Sequence, residues 1–180
     1  MSNIATLTAA KNSAKSITFL PGSATSKVSV NVSYDRTYAD MIVRGAPQTD
    51  DAPIKAFGDI CSTFPKRAGG TRKVDVLIVS LPGFLMSRKF ERWVAEQGLV
   101  PMDFHTMLTI SETYPTLLDD WKLKKVRLVS LAPSFTYLNE RRVCTVHYAP
   151  EEKTKRTLRT LEFEPLGSGW SHEHNFGFIA

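Results

Sequence analysis

The stretch VDVLIVSL, residues 74–81, consists almost entirely of apolar and β-branched residues. A strand with one face in water alternates polar and apolar residues, whereas an uninterrupted apolar run is typical of a strand covered on both faces. We therefore predict a central strand at residues 74–81, with the other secondary-structure elements arranged around it. Pro82 and Gly83 end this run, as expected of a turn.

Two segments on the N-terminal side of this stretch also carry a clear periodicity. Residues 27–34, KVSVNVSY, alternate between apolar and small polar side chains, which predicts a half-buried strand. Between residues 54 and 64, large apolar residues recur at intervals of three and four, the spacing of one stripe of a helix, and Pro65 ends the pattern. We therefore expect a strand and then a short helix before the central strand.

Two further helices are predicted after the central strand. The first begins at Ser87, a residue suited to the N-cap position, and ends at Gly98. The second begins near Asp103 and ends before Pro115, because proline cannot continue a helix. The apolar residues at positions 117–121 indicate one additional helical turn.

The following part of the chain contains short apolar segments without helical patterns between them. These segments predict strands at residues 126–131, 143–148, 158–163 and 175–179, joined by polar or Gly/Pro turns. Four consecutive strands favour antiparallel pairing over a doubly wound parallel sheet. The predicted fold class is therefore α+β: a single domain with a mainly antiparallel sheet, two to three short helices and a C-terminal β-meander.

Residues 1–26 differ in composition from the rest of the chain. They are rich in Ser, Thr, Ala and Asn and contain few large apolar residues. Such a segment cannot bury enough apolar surface to fold by itself. We therefore predict a flexible or partner-ordered arm at residues 1–26 and a compact α+β domain at residues 27–180.

The overall composition is that of an ordinary globular domain. The chain has 180 residues, of which 42% are hydrophobic and 23% charged, and this length suffices for a core without disulfides or metals. No apolar segment is long enough to span a membrane and no signal-peptide pattern is visible, so a cytoplasmic location and no membrane partner are expected. The two cysteines, Cys61 and Cys144, are accordingly expected to be reduced thiols in the core.

The stretch GWSHEHNFGFIA, residues 169–180, raises the question of a metal site. His172 and His174 lie two residues apart, so that both side chains would point to the same side of a strand. A zinc site needs one or two more ligands, and the nearest candidates, Cys144 and His147, would lie on opposite faces of a strand. We therefore predict no metal and no cofactor, but a Gly-rich turn and a packed strand with both histidines at the surface.

The sequence contains no motif of a catalytic site. It lacks a Gly-x-Ser-x-Gly nucleophile motif, and its adjacent carboxylates, such as Asp119 and Asp120, are typical of solvated turns. The stretch KRAGGTRK, residues 66–73, lacks the P-loop pattern and precedes a strand instead of following one. We therefore predict no catalytic residues and expect a binding function rather than an enzymatic one.

Basic residues carry the strongest functional signal. The formal net charge is +5 and the pI is about 9.3, a balance that favours acidic partners. Several basic clusters near loops and strand edges could line one rim of the fold and contact phosphates. The predicted contact residues are Lys66, Arg67, Arg72, Lys73, Arg141, Arg142, Lys155 and Arg156. The alternative is an ordinary solvated surface, because acidic residues are interspersed and lysines also protect sheet edges from aggregation.

The segment AEQGLVPMDFHTMLTISETYPTLLDDW, residues 95–121, is followed by VRLVSLA and later by Trp170 and an aromatic strand. This arrangement resembles a small uncharacterised domain of phage and ultra-small bacterial genomes, in which a Gly-Leu-x-Pro turn joins two helices and a Tyr-Pro-x-Leu step precedes a strand meander. The resemblance covers about residues 93–180 and includes no catalytic motif, and the charged region 139–159 departs from it. It implies a phage or mobile-element setting, with the host cytoplasm or a virion as the location.

Together these observations predict a non-enzymatic interaction protein. It would dock on a larger protein or nucleoprotein assembly through its basic loops and N-terminal arm, as a virion component or as an inhibitor of a host complex. Two alternatives are a nucleic-acid-binding protein and a metal-dependent hydrolase or nuclease that uses His172, His174 and His147. A purely structural subunit would instead assemble with copies of itself.

Overall fold

The computed structural model describes residues 17–49, 68–117, 126–151, 156–167 and 169–180, together with residues 55, 57, 58, 60 and 64. Its strands are β1 (Ala24–Ser33), β2 (Thr71–Ser80), β3 (Val100–Pro101), β4 (Val126–Tyr137), β5 (Glu140–Pro150), β6 (Thr157–Pro165) and β7 (His174–Ile179). Its helices are α1 (Tyr38–Gly45), α2 (Ser87–Gln97) and α3 (Phe104–Thr113). None of these described helices is long and apolar enough to cross a bilayer.

The seven described strands form one mixed sheet in the order β1-β2-β7-β4-β5-β6, and β3 pairs with β7. Every strand pair is antiparallel except β4 with β7, which is parallel. The predicted α+β class with a mainly antiparallel sheet is therefore confirmed. The meander comprises β4, β5 and β6, whereas β7 crosses back and lies between β2 and β4.

β2 confirms the prediction of a central strand covered on both faces. Val76 and Ile78 belong to the core on one side of the sheet, and Leu77 and Val79 belong to the core on the other. All four residues are at most 3% exposed. Burial of both faces explains why the apolar residues of β2 are consecutive and do not alternate with polar ones.

α1 and α3 cover one face of the sheet. Both helices begin with a side-chain cap: Thr37 accepts a hydrogen bond from the Asp40 amide, and Asp103 accepts one from the Thr106 amide. The predicted start of a helix near Asp103 and its end before Pro115 are therefore confirmed. α1 has no counterpart among the helices predicted from the sequence.

α2 covers the opposite face of the sheet. The centre of the Phe90 ring lies 4.2 Å from that of Phe176 in β7, and the Trp93 ring stacks beside Phe90. The helix is followed by Gly98 with a φ of 64°, a left-handed conformation that glycine adopts without strain. This end of the helix is as predicted.

The prediction that Ser87 is the N-cap of α2 is wrong by one residue. The N-cap is Met86, whose side chain caps no backbone amide. Ser87 is the first residue of the helix, and its hydroxyl accepts a hydrogen bond from the Gly169 amide at 3.0 Å. The serine oxygen therefore makes a tertiary contact instead of the local capping contact.

Residues 17–26, the second part of the predicted arm, lie against the fold. The Ile17 side chain is buried, and the Trp93 indole donates a hydrogen bond to the Thr18 carbonyl at 3.0 Å. The chain then enters β1. Residues 1–16 lie outside the described part of the chain.

Two other predicted helical segments are described only in part. In the helix predicted at residues 54–64, Phe57 and Phe64 are buried in the core below α1 and α3, where a helical stripe would point. In the turn predicted at residues 117–121, Leu117 is described and is also buried. The other positions of this turn lie outside the described residues.

β7 joins the two halves of the sheet. It pairs with β2 on one side and with β4 and β3 on the other. Phe176 and Phe178 pack in the core beside α2. Gly177 points to the other face, where an added Cβ would lie 2.2 Å from the sulfur of Met102. Close packing therefore requires a glycine at this position.

Gly177→Ala is expected to destabilise the fold by about 1–3 kcal/mol, because the fully buried Met102 side chain must move to admit a methyl group. Urea unfolding followed by circular dichroism measures this loss. Gly83→Ala is the matched control, since a Cβ at Gly83 meets no atom within 4 Å. Equal unfolding midpoints for the two variants would contradict the packing role of Gly177.

Candidate functional site

Five of the eight basic residues predicted as contacts lie in the described part of the chain. Those outside it are Lys66, Arg67 and Lys155. Those inside it are Arg72 and Lys73 near the start of β2, Arg141 and Arg142 near the start of β5, and Arg156 before β6. All five are exposed except Arg142, which is half-buried.

The four of these residues that belong to strands lie on two different faces of the sheet, because side chains alternate along a strand. Arg72 and Arg142 lie on the face that α1 and α3 cover, and the Arg72 guanidinium lies 5.8 Å from the centre of the Tyr34 ring. Lys73 and Arg141 lie on the α2 face. The structure therefore places the four side chains on two faces of the sheet, two on each.

A cavity of about 550 Å³ lies on the α2 face, with Arg141 on one of its sides. Its other walls are loop 81–86 after β2, the first turn of α2, and the turn at Gly169 before β7. Leu85 and Trp170 connect the two loops through a pair of backbone hydrogen bonds of 2.7 and 2.8 Å. The cavity walls are therefore held by a short extension of the sheet.

Arg141 and Arg88 both border this cavity. Arg141 donates a hydrogen bond to the Ser134 hydroxyl at 2.9 Å, and neither arginine forms an ion pair with a described carboxylate. Other arginines of the fold do form ion pairs with Asp or Glu: Arg36, Arg44, Arg127 and Arg142. Glu91 also borders the cavity, so two arginines and one glutamate give the lining a formal charge of +1.

The first turn of α2 departs from the usual charge pattern of helix starts. A helix carries a partial positive charge at its N-terminus, which acidic side chains and polar N-caps stabilise. α2 has neither in its first turn, and instead carries Arg88 and Lys89 there, with Arg92 one turn later. These cations oppose the helix dipole, so helix stability does not account for their position.

Two exposed apolar side chains stand beside these cations. Phe84 is 71% exposed and Met86 is 58% exposed, although most large apolar residues of the described chain are buried. The Phe84 ring lies against the backbone of Gly169, where an added Cβ would be 2.6 Å from the ring Cζ. The glycine therefore lets the ring rest on the backbone, while the remainder of the ring faces solvent.

Arg141 is predicted from the sequence as a contact residue, whereas Phe84, Met86 and Arg88 are not. The stretch FLMSRKFERW, residues 84–93, contains a signal for them, because its basic residues fall in the first two turns of a predicted helix. Residues that break a local rule in this way often have a role in function.

The three histidines considered as metal ligands are not arranged around one point. His172 is exposed in the turn before β7, whereas His174 and His147 are the strand neighbours of Arg127 on its two sides. Two strand spacings, roughly 10 Å, therefore separate the backbones of His174 and His147. In the described part of the chain, no group of three His, Cys, Asp or Glu residues is placed to hold a metal ion.

The prediction that both histidines of residues 169–180 lie at the surface is wrong for His174, which is 8% exposed. Its Nε2 lies 2.8 Å from the Glu164 carboxylate, and that carboxylate also pairs with Arg127 at 2.8 Å. Arg127 pairs in addition with Glu173 at 2.5 Å. The network supplies the polar partners that a buried imidazole requires.

Ser171, His174 and Glu164 form a row with the residue types of a hydrolase triad. The Ser171 hydroxyl oxygen lies 3.0 Å from Nδ1 of His174. The Ser171 backbone amide donates to the same nitrogen at 3.0 Å, so its single lone pair is already engaged. A general base needs that lone pair to accept the serine proton. We therefore interpret this row as a structural turn that leads into β7.

Cys144 and His147 lie on opposite faces of β5, as their spacing predicts. Cys144 is buried in the core beside α3, and His147 lies on the other face next to Glu162. Cys61 lies outside the described residues, so its predicted state stays a prediction.

Burial shifts the pKa of two ionisable groups on the α3 side of the sheet. Burial raises the pKa of the Tyr148 phenol, and the neighbouring Ser111 and the charge of Arg159 oppose this shift in part. Burial also lowers the pKa of the Arg159 guanidinium, which donates a hydrogen bond to the Ser111 carbonyl at 2.5 Å. These groups lie on the opposite face from the cavity and connect β5 and β6 to α3.

Comparison with protein-family models, with curated proteins and with solved structures gives no match for the chain. The functional interpretation therefore depends on the geometry of the described residues. The cavity at the start of α2 is the strongest candidate site, because charge, exposed apolar surface and a fixed wall coincide there.

A hydrogen bond from His147, whose Nδ1 lies 3.4 Å from the carboxylate, lowers the pKa of Glu162. Partial burial of Glu162 raises this pKa, whereas the charges of His147 and Arg127 lower it further. Because the pKa is lower in the folded chain, the carboxylate adds stability above its ordinary value of 4.5, and this stability is lost as the pH falls through the folded value. Glu162→Gln should therefore destabilise the protein at neutral pH and converge with wild type in acid.

Urea unfolding of both proteins at a series of pH values measures this difference. Glu96→Gln is the matched control, because Glu96 is an exposed carboxyl of α2 without an ion pair to a described residue. A difference between Glu162→Gln and wild type that does not change with pH would contradict the assigned role of His147.

Proposed function

We propose that this chain is an interaction protein that docks on an anionic surface of a larger assembly through the cavity at the start of α2. One observation carries the proposal: two arginines without a described carboxylate partner and two exposed apolar side chains border the same cavity of about 550 Å³. Arg88 and Arg141 provide the charge, and Phe84 and Met86 provide the apolar contact.

The two arginines that border the cavity differ from Arg36, Arg44, Arg127 and Arg142, whose charges are compensated by carboxylates of the chain. An arginine such as Arg127 is neutralised by carboxylates of the chain itself and has little attraction left for a partner. Arg88 and Arg141 lack such carboxylates among the described residues, so an anionic partner would supply them. Their attraction would accelerate association and would weaken as the salt concentration rises.

The exposed apolar side chains support an anchoring role. Five large apolar residues are exposed in the described part of the chain, and two of them, Phe84 and Met86, border this cavity. A partner that covers them removes apolar surface from water. The backbone pair between Leu85 and Trp170 holds the loop in place, so that little conformational entropy is lost on binding.

The biological setting is based on the sequence resemblance alone. A phage or mobile-element origin, and a role as a virion component or as an inhibitor of a host complex, stay predictions. The contribution of the N-terminal arm also stays a prediction, since residues 1–16 lie outside the described part of the chain. Arg72 and Arg142 lie on the other face, and docking at the cavity does not require them.

Arg88→Gln combined with Arg141→Gln is expected to weaken binding to a polyanion and to reduce its salt dependence. Each lost ionic contact lowers the slope of log K against log salt by about 0.7–0.9, so the double variant should lose a slope of about 1.5. Fluorescence anisotropy with a labelled heparin oligosaccharide at several NaCl concentrations measures both quantities.

Arg72→Gln combined with Lys73→Gln is the matched control, because both residues are exposed, lack an ion pair with a described carboxylate and do not line the cavity. The slope of log K against log salt for this control variant should stay close to that of wild type. Equal slopes for the two double variants, or no binding of heparin by wild type at low salt, would reject the cavity as the docking site.

A further inference from the structure

We infer that the anionic partner is single-stranded nucleic acid, with an unpaired base stacked on Phe84 and neighbouring phosphates bound by Arg88 and Arg141. This inference rests on the proposed docking function of the same cavity and specifies the chemistry of its partner. An acidic segment of a protein is the competing partner, and the experiment below separates the two.

The Phe84 ring has the surroundings of a stacking platform. It rests on the backbone of Gly169, and most of the ring is exposed. Aromatic side chains that bind single strands stack on the bases, and this contact tolerates any sequence because every base has a π-face. Met86 borders the same cavity with a polarisable thioether, which makes favourable contacts with aromatic groups.

The basic residues around the cavity are placed to follow a phosphate backbone. Arg88 and Arg92 lie four residues apart on the exposed side of α2, about 6 Å along the helix axis, and Lys89 is exposed between them. Arg141 adds a cation from β5. A guanidinium group binds phosphate oxygens in a bidentate manner. Cations from two elements can thus bind successive phosphates of a strand that crosses the cavity.

The hydrogen-bonding capacity of Glu91 favours nucleic acid over an acidic peptide as the partner. Glu91 borders the cavity, and its carboxylate would repel peptide carboxylates and phosphates alike, so its charge alone favours neither partner. A carboxylate can, however, accept a hydrogen bond from the exocyclic amino group of a base, as it does with cytosine. A lining of two arginines, one glutamate and one exposed ring therefore matches a nucleotide more closely than a carboxylate-rich segment.

The dimensions of the cavity favour an unpaired strand over a duplex. A volume of about 550 Å³ falls within the range of roughly 300–1,000 Å³ that is usual for small-ligand sites, and such a site admits one nucleotide. In a duplex the π-faces of the bases are covered by the neighbouring base pairs. The base that stacks on Phe84 must therefore belong to a single strand.

The test uses the full chain and a cytosine-rich DNA strand of about 12 nucleotides, a length typical of single-strand sites, with 2-aminopurine at its centre. Wild type is expected to bind this strand more tightly than the corresponding duplex and to quench the 2-aminopurine fluorescence by stacking. Phe84→Leu keeps an apolar side chain but loses the ring, so binding should weaken about tenfold or more and quenching should disappear. Phe84→Tyr is the matched control and should behave like wild type.

Equal binding of strand and duplex, or equal behaviour of the Leu and Tyr variants, would overturn the inference. A polyglutamate peptide with the same number of charges as the DNA strand shows whether the inference fails alone or together with the proposed function. If Arg88→Gln with Arg141→Gln weakens polyglutamate binding and the DNA strand does not bind, the docking site stands and its partner is an acidic protein segment. If neither probe binds wild type at low salt, the inference and the proposed function both fail.

Discussion

The antiparallel pairing of β2 with β7, from Val76 opposite Ile179 to Ser80 opposite Asn175, holds the two halves of the sheet together. In the described residues, β1 joins the sheet through β2, and the meander of β4, β5 and β6 joins it through β7. Both central strands are buried on both faces, so helices must lie on each side of them. The buried side-chain amide of Asn175 in β7 has hydrogen-bond partners for both of its polar atoms. It accepts a hydrogen bond from the Ser80 hydroxyl and donates one to the Glu173 carbonyl at 3.1 Å.

The same two strands position the candidate site. Loop 81–86 leaves β2 and Trp170 precedes β7, and the backbone pair between Leu85 and Trp170 continues the contact of these segments beyond the sheet. The cavity therefore has a rigid wall next to a helix start that breaks the usual rules of capping and charge. Such departures concentrate at functional sites in natural proteins, where binding is selected at some expense of stability. This coincidence distinguishes the cavity from the other basic regions of the surface.

Local patterns predict much of the fold and little of the site. The strand at residues 74–81 and the helix boundaries at Gly98 and Asp103 follow from apolar periodicity and from capping preferences, and the structure confirms them. α1 is not predicted, because its eight residues form only about two turns and too short a stripe. In the site, Arg141 follows from its charge, but its proximity to Arg88 does not, because the two residues are far apart in the chain.

By itself the sequence determined most of the segments that form strands or helices and, for strand β2, that both faces are buried, because apolar periodicity reports burial directly. It did not determine which strands become neighbours, since the hydrophobic effect is non-directional and any apolar face can cover any other. The tertiary structure alone decided that β7 pairs in parallel with β4, that His174 is buried beside Glu164, and that Arg88 and Arg141 border one cavity. Each of these features depends on contacts between distant segments, which form only when the sheet assembles around β7.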